Sequence, residues 1–215
     1  QLHVLHLSTK KESELFEKTK KIEDKKITSE VCIHHLWFNE MDYQQFGTRI
    51  KWNPSIKSES DRIGLWEGLM NDRIDIIATD HAPHTIEEKS GNYFNAPSGG
   101  PMVQHSLVAM LEFYHQGIIS IEKIVEKMCH NPAKIFNIRK RGFIKEGYYA
   151  DLVLVDLNNQ WTVNRDNILY KCQWSPFEGQ TFKSKIMYTF VNGHLVFEKG
   201  IIHEDRCGQR LHFTR

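Results

Sequence analysis

Four short apolar runs within the first eighty residues constrain this chain most: LHVLHLS from Leu2, KITSEVCIHHLWF from Lys26, TRIKWNPSIK from Thr48 and IDIIATD from Ile74. Each reads as a strand, ended by a polar residue or, in the third, by Pro54. Between them, TKKESELFEKTKKIEDK carries Thr9 and Glu12 at the spacing of a capping box, and DRIGLWEGLM reads as a helix. Strands alternating with helices predict an α/β fold built on parallel strands. The four predicted strands end near His6, His35, Asn53 and Asp80. In barrels of parallel strands, chemistry sits at those C-terminal ends.

Beyond a glycine-rich stretch, SGNYFNAPSGGP, three helical segments are predicted: MVQHSLVAMLEFYHQ stopped by Gly117, SIEKIVEKMCH opened by Ser120, and PAKIFNI. In the second, Ile121, Ile124, Val125 and Met128 recur at helical spacing, which predicts a core-facing stripe. From Phe143 onward the pattern alternates apolar and polar residues, and Asn192-Gly193 marks a type I′ hairpin. The expected division is an α/β unit over 1–142 and a small, mostly β unit over 143–215.

Charged residues make up 26% of the 215, yet the formal net charge is only +1, so no basic field is available for nucleic acid or an anionic membrane. A small-molecule partner is expected. No apolar run approaches the ~18 residues of a membrane span, and residues 1–20 lack a signal-peptide profile, which predicts a soluble, cytoplasmic protein. Cys32, Cys129, Cys172 and Cys207 are scattered without a CxxC pair and read as reduced thiols. The chain opens on Gln1 and enters a strand at once, which suggests that an upstream part is missing.

Two histidines and an aspartate at the ends of strands in one parallel sheet can converge on a point, and imidazole nitrogen with carboxylate oxygen is a donor set that zinc selects. His3 and His6 would face opposite sides of an extended strand, as would His34 and His35. The later member of each pair lies at the strand end, which selects His6 and His35. Asp80 follows Ile74, Ile76, Ile77 and Ala78, a costly place for a carboxylate unless a cation or hydrogen bonds meet it. The bland alternative is an N-cap for a helix starting near Pro83. If that segment coils, His84 faces the same cavity one turn on, and His81 points elsewhere. Asn53 precedes a proline and is either a turn residue or a ligand contact. Ser98, Gly99 and Gly100 are either loop filler or a place where backbone closely approaches a ligand.

HVLHLST, SEVCIHHLWF, KWNPSIKSESDR, IDIIATDHAPHTIEEK, NPAKIF and GYYADLVLVDL, in this order, resemble the dihydroorotases of the amidohydrolase superfamily, the bacterial type related to hydantoinases. SPFEG and VNGHLVFEKG are similar to that family's tail, and TDHAPHT is the most specific motif. The resemblance implies the C-terminal half of a metal-dependent (β/α)8 TIM barrel plus strands of a small β-sandwich. It implies a two-zinc site in which His6 and His35 bind one ion and Asp80 the other. Asp80 is then the general base, while Asn53, His84, Ser98 and Gly99 contact substrate. The implied reaction is reversible hydrolysis of L-dihydroorotate to N-carbamoyl-L-aspartate in pyrimidine synthesis. NPSIK stands where the family usually has NPPLR, and Ser98 replaces an apolar or aromatic residue. The family's His-x-His motif and remaining ligands would lie before Gln1, so the 215 residues alone are expected to be inactive. Hydantoinase or allantoinase activity, or a non-catalytic scaffold for another pyrimidine enzyme, are the rival readings. A homodimer or a complex with another pyrimidine-pathway enzyme is compatible with each.

Overall fold

The structure is a computed structural model that describes residues 1–204 and 208–214. The chain divides into two compact units, Gln1–Leu107 with Val163–Gln180, and Val108–Thr162 with Thr181–Arg215.

The first unit is α/β. Strands β1 (Leu2–Leu7), β2 (Ile27–Cys32) and β3 (Ile76–Ala78) form a parallel sheet in the order β1-β2-β3. Leu7 pairs with Val31 and Cys32 with Ala78, so all three C-terminal ends lie along one edge. The α-helices lying wholly in this unit are α1 (Lys10–Ser13), α2 (Ile33–Trp37), α3 (Tyr43–Phe46), α4 (Glu59–Met70) and α5 (Ile86–Lys89). Val31, Ile33, Leu36, Ile50, Trp52, Leu65, Leu69 and Ile74 are wholly buried, each contributing roughly 1.5–3 kcal/mol of apolar burial.

Helix α4 starts where Ser58 accepts the Asp61 amide. It packs closely because Gly64 and Gly68, one turn apart, leave room for α1. A Cβ on Gly64 would stand 2.3 Å from Lys10 Cβ, and one on Gly68 3.1 Å from Ser13 Cβ. The capping box of Thr9 and Glu12 forms as expected. The long helix predicted after it does not, since α1 ends at Ser13. Glu17 instead accepts from Thr19 Oγ1 at 2.6 Å and Thr19 N at 3.1 Å, a local alternative to helical pairing.

Two other expectations are corrected. Residues 48–57 are not a strand: their backbone groups bond to distant loops, with Gly99 N donating to Lys51 O and Glu40 N to Lys57 O. The second predicted strand breaks after Cys32 into α2, so His34 and His35 lie on one helical turn instead of on opposite faces of an extended chain.

In the second unit, α6 (Ser106–His115) runs on from Val108 and closes at Gly117, whose φ is 74°. Helix α7 (Ile121–Val125) opens on Ser120, which accepts the Lys123 amide, and α8 (Asn131–Ile135) follows a wider π-type turn over Glu126–His130. The predicted stripe is only partly core-facing: Ile124 is buried, whereas Val125 is 37% exposed. Strands β4 (Leu152–Asp156), β7 (Lys185–Val191), β8 (His194–Glu198) and β9 (Ile201–Ile202) form an antiparallel sheet in the order β4-β7-β8-β9. Strands β5 (Trp161–Thr162) and β6 (Thr181–Phe182) pair separately. Asn192 and Gly193 both take positive φ, 52° and 84°, as the predicted hairpin turn requires. Cys32, Cys129 and Cys172 are free thiols, and Cys207 lies outside the described residues. Among the described residues no helix is long and apolar enough to cross a membrane.

Candidate metal centre

Strand β2 is the middle of the parallel sheet, and its C-terminal end delivers three donors at once. Cys32, His34 and His35 are buried, and their ligand atoms all lie within 4.8 Å of one another. The His34 and His35 rings are 4.3 Å apart, and His34 stacks on Trp52 at 4.3 Å and 11°.

The hydrogen bonding of the pair is incomplete in an informative way. His35 Nε2 donates to Pro54 O at 3.0 Å, while its Nδ1 is buried without a partner. An imidazole anchored by one N–H to a carbonyl, with the other nitrogen free, is the arrangement metal-binding histidines take. His34 is fully buried with neither nitrogen partnered. Either tautomer strands a donor and an acceptor in a dry site, at about 1–3 kcal/mol each. Burial, followed by the neighbouring His35 and His6, holds the His34 pKa well below that of an ordinary imidazole. His35 is pushed down to about 4, chiefly by burial, with the Pro54 carbonyl opposing and Lys57 and His6 adding. Both rings are therefore neutral at pH 7, the form that binds cations. Burial, then Glu30 and Asp80, raises the Cys32 thiol.

The flanking strands add His6 and Asp80. The pairing of the three strands puts His6, Cys32 and Asp80 at the same end of the sheet, while the donors that lie within 4.8 Å of one another are Cys32, His34 and His35, a group that includes neither His6 nor Asp80. Both residues have left-handed backbones, with φ of 40° at His6 and 43° at Asp80. Outside glycine that conformation is uncommon, and such residues cluster at functional sites. His3 is engaged elsewhere, with Nδ1 2.9 Å from Thr28 Oγ1 and Nε2 3.0 Å from Glu30 Oε2. Asp80 does not cap a helix near Pro83, because α5 begins only at Ile86 and Thr85 caps it.

The remaining predicted residues line the adjoining loops. Asn53 is exposed, Ser98 half-buried and Gly99 buried. His84 Nε2 lies 3.1 Å from Ser98 O and its Nδ1 3.5 Å from Glu88. His81 Nδ1 accepts the Met102 and Val103 amides at 3.0 and 3.3 Å, a positioning role for that backbone. Sequence reasoning passed over His34 and Cys32. The signal for His34 was present in the adjacent pair, but it was masked by assuming an extended strand.

Residues 3–196 match the model of the Amidohydrolase family. The dihydroorotase of Pyrococcus furiosus is 36% identical over 209 residues, covering 97% of this chain and 48% of that protein. The dihydroorotase of Clostridioides difficile is 40% identical over 172 residues, covering 80% and 40%. The chain thus spans about half the length of the curated relatives it matches. Among solved structures, the L-hydantoinase (dihydropyrimidinase) of Arthrobacter aurescens superposes with a TM-score of 0.85 at 31% identity, over 94% of this chain and 46% of that one. With a family match over residues 3–196, most of its length, the chain belongs to the amidohydrolase family.

Proposed function

We propose that the protein is a zinc-dependent dihydroorotase, acting in the cytoplasm on a small cyclic amide. In this reading, 1–142 belongs to the C-terminal half of a (β/α)8 barrel and 143–215 to a small β-sandwich. The observation that carries it is the set of neutral, unpartnered imidazole nitrogens at the end of β2, flanked by His6 and Asp80. Nitrogen, carboxylate and thiol donors fit zinc. His6, His35 and Asp80 would hold metal, with His34 as a further imidazole of the same cluster. A complete site would take two ions. Similarity to dihydroorotases over most of the chain supports the choice of substrate.

Bound zinc supplies Lewis-acid polarisation of a carbonyl and lowers the pKa of water. The chain's own residues do the rest. Asp80 takes a proton from the attacking water as the ring C–N bond opens, and returns it to the departing nitrogen. Asn53, His84 and the backbone at Ser98 and Gly99 orient the ring so that the scissile amide meets Asp80.

The test is turnover of dihydroorotate by the full-length protein, assayed beside hydantoin because a solved hydantoinase is similar in structure. Dihydroorotate is the expected faster substrate. Asp80→Asn keeps an oxygen ligand but loses the base, so the rate should fall at least ~10²-fold while zinc remains. Near-normal turnover of that variant, or a preference for hydantoin, overturns the proposal.

A further inference from the structure

Lys89 is the most completely buried lysine of the first unit, 1% exposed, yet it forms no ion pair among the described contacts. Its Nζ donates to Gly99 O at 2.8 Å, Pro97 O at 2.9 Å and Lys51 O at 3.1 Å. Three N–H bonds meet three carbonyls, so every donor of the ammonium is used. These carbonyls come from two segments far apart in sequence. Lys51 is two residues from Asn53, while Pro97 and Gly99 flank Ser98.

The surrounding backbone is built around the same point. Gly99 N donates to Lys51 O at 2.9 Å, and Thr48 Oγ1 donates to the carbonyl of Lys89 itself. Lys51 Nζ donates in turn to Tyr93 O at 2.6 Å and Ala96 O at 2.5 Å, tying down the approach to the loop. On its far side the loop meets the segment following Asp80: His84 Nε2 reaches Ser98 O, and Ala82 N donates to Gly100 O at 3.3 Å. Approach there is too close for any side chain at 99. A Cβ on Gly99 would stand 2.6 Å from Ala82 O, and its φ is 115°.

We propose that Lys89 is a positioning residue, its ammonium clamping the Asn53 segment and the Ser98–Gly99 loop together so that their backbone is preset for substrate. The inference rests on the dihydroorotase reading for the identity of the substrate, but not for the clamp itself. A neutral side chain of similar length leaves Pro97 O and Gly99 O without this donor in a site water barely reaches. The loop then loosens, while Trp52 and Pro54 keep their own contacts with His34 and His35, which leaves those imidazoles in place.

The experiment compares wild type with Lys89→Met in the full-length protein, measuring zinc content, steady-state kinetics with dihydroorotate and amide hydrogen exchange. Expected are unchanged zinc, a KM raised at least ~10-fold and a kcat within about threefold of wild type. The Gly99 amide should exchange roughly 10²-fold faster, with the core amides of Val31 and Ile77 unaffected. An equal loss of kcat and zinc would show general damage and overturn the proposal, as would an unchanged KM. If wild type does not turn over dihydroorotate, the dihydroorotase reading fails, and the exchange data alone judge the clamp. Should Lys89→Met not fold, wild type still decides: Gly99 must exchange far more slowly than exposed Gly91, and equal rates sink the idea.

Discussion

At His34 the demand for a partner is sharpest. A wholly buried imidazole with two unpartnered nitrogens is tolerated only if something outside the chain completes it. His35 differs, since Pro54 already fixes its tautomer and leaves one nitrogen to offer. We therefore expect His34→Ala and His35→Ala each to lower bound zinc, measured by elemental analysis, by roughly tenfold or more in affinity. Full zinc occupancy in both variants would remove the cluster from the metal site. The sequence singled out His6, His35 and Asp80 as candidates because each follows an apolar run, where a polar group needs a reason. It favoured His35 over His34 on the expectation of an extended strand. That choice turned on whether the chain after Cys32 extends or coils, and coiling depends on contacts with residues far away in sequence.

The same dependence governs whole elements. Helix α2 replaces a predicted strand because its backbone and rings find partners on α4 and beyond: Trp66 Nε1 donates to Leu36 O at 3.1 Å, and Arg62 Nη1 to the same oxygen at 3.3 Å. The starts of β2 and β3 are joined by a buried ion pair at the end of the sheet opposite Cys32. Lys25 Nζ lies 2.6 Å from Asp75 Oδ1, with both side chains almost completely enclosed, and Asp75 Oδ2 accepts the Ser29 amide at 2.9 Å. In β/α barrels this end contributes stability and the other end chemistry. Lys25→Met strands a buried carboxylate and should cost about 3–5 kcal/mol in urea unfolding. Adding Asp75→Leu should recover much of that loss, because the desolvated charge is gone. A double variant no more stable than the single one would show that the pair acts through something other than charge.

Across the first unit, the buried histidines make stability depend on acid. His105 has no exposed surface and sits 3.1 Å from Ser175 Oγ and 3.4 Å from the Tyr170 hydroxyl. Burial pushes its pKa down to about 4. An unfolded histidine takes up its proton near pH 6.5, but the folded one only near 4, so the unfolded state binds more protons in between. The full contribution is therefore present above pH 6.5 and is lost as pH falls toward 4, by up to about 3 kcal/mol. Urea midpoints measured across that window should fall less in His105→Asn than in wild type. Identical slopes would show that His105 does not stay neutral. By itself the sequence determined the alternation of strands and helices, the capping box at Thr9, the Asn192-Gly193 turn and the polar strand ends, because each is written in residues adjacent or a few positions apart. Only the tertiary structure decided that Lys51 to Lys57 is not a strand, that His34 and His35 share a turn, and that Lys89 joins two loops. Those outcomes depend on which distant carbonyls and side chains become neighbours, and a linear pattern does not contain that information.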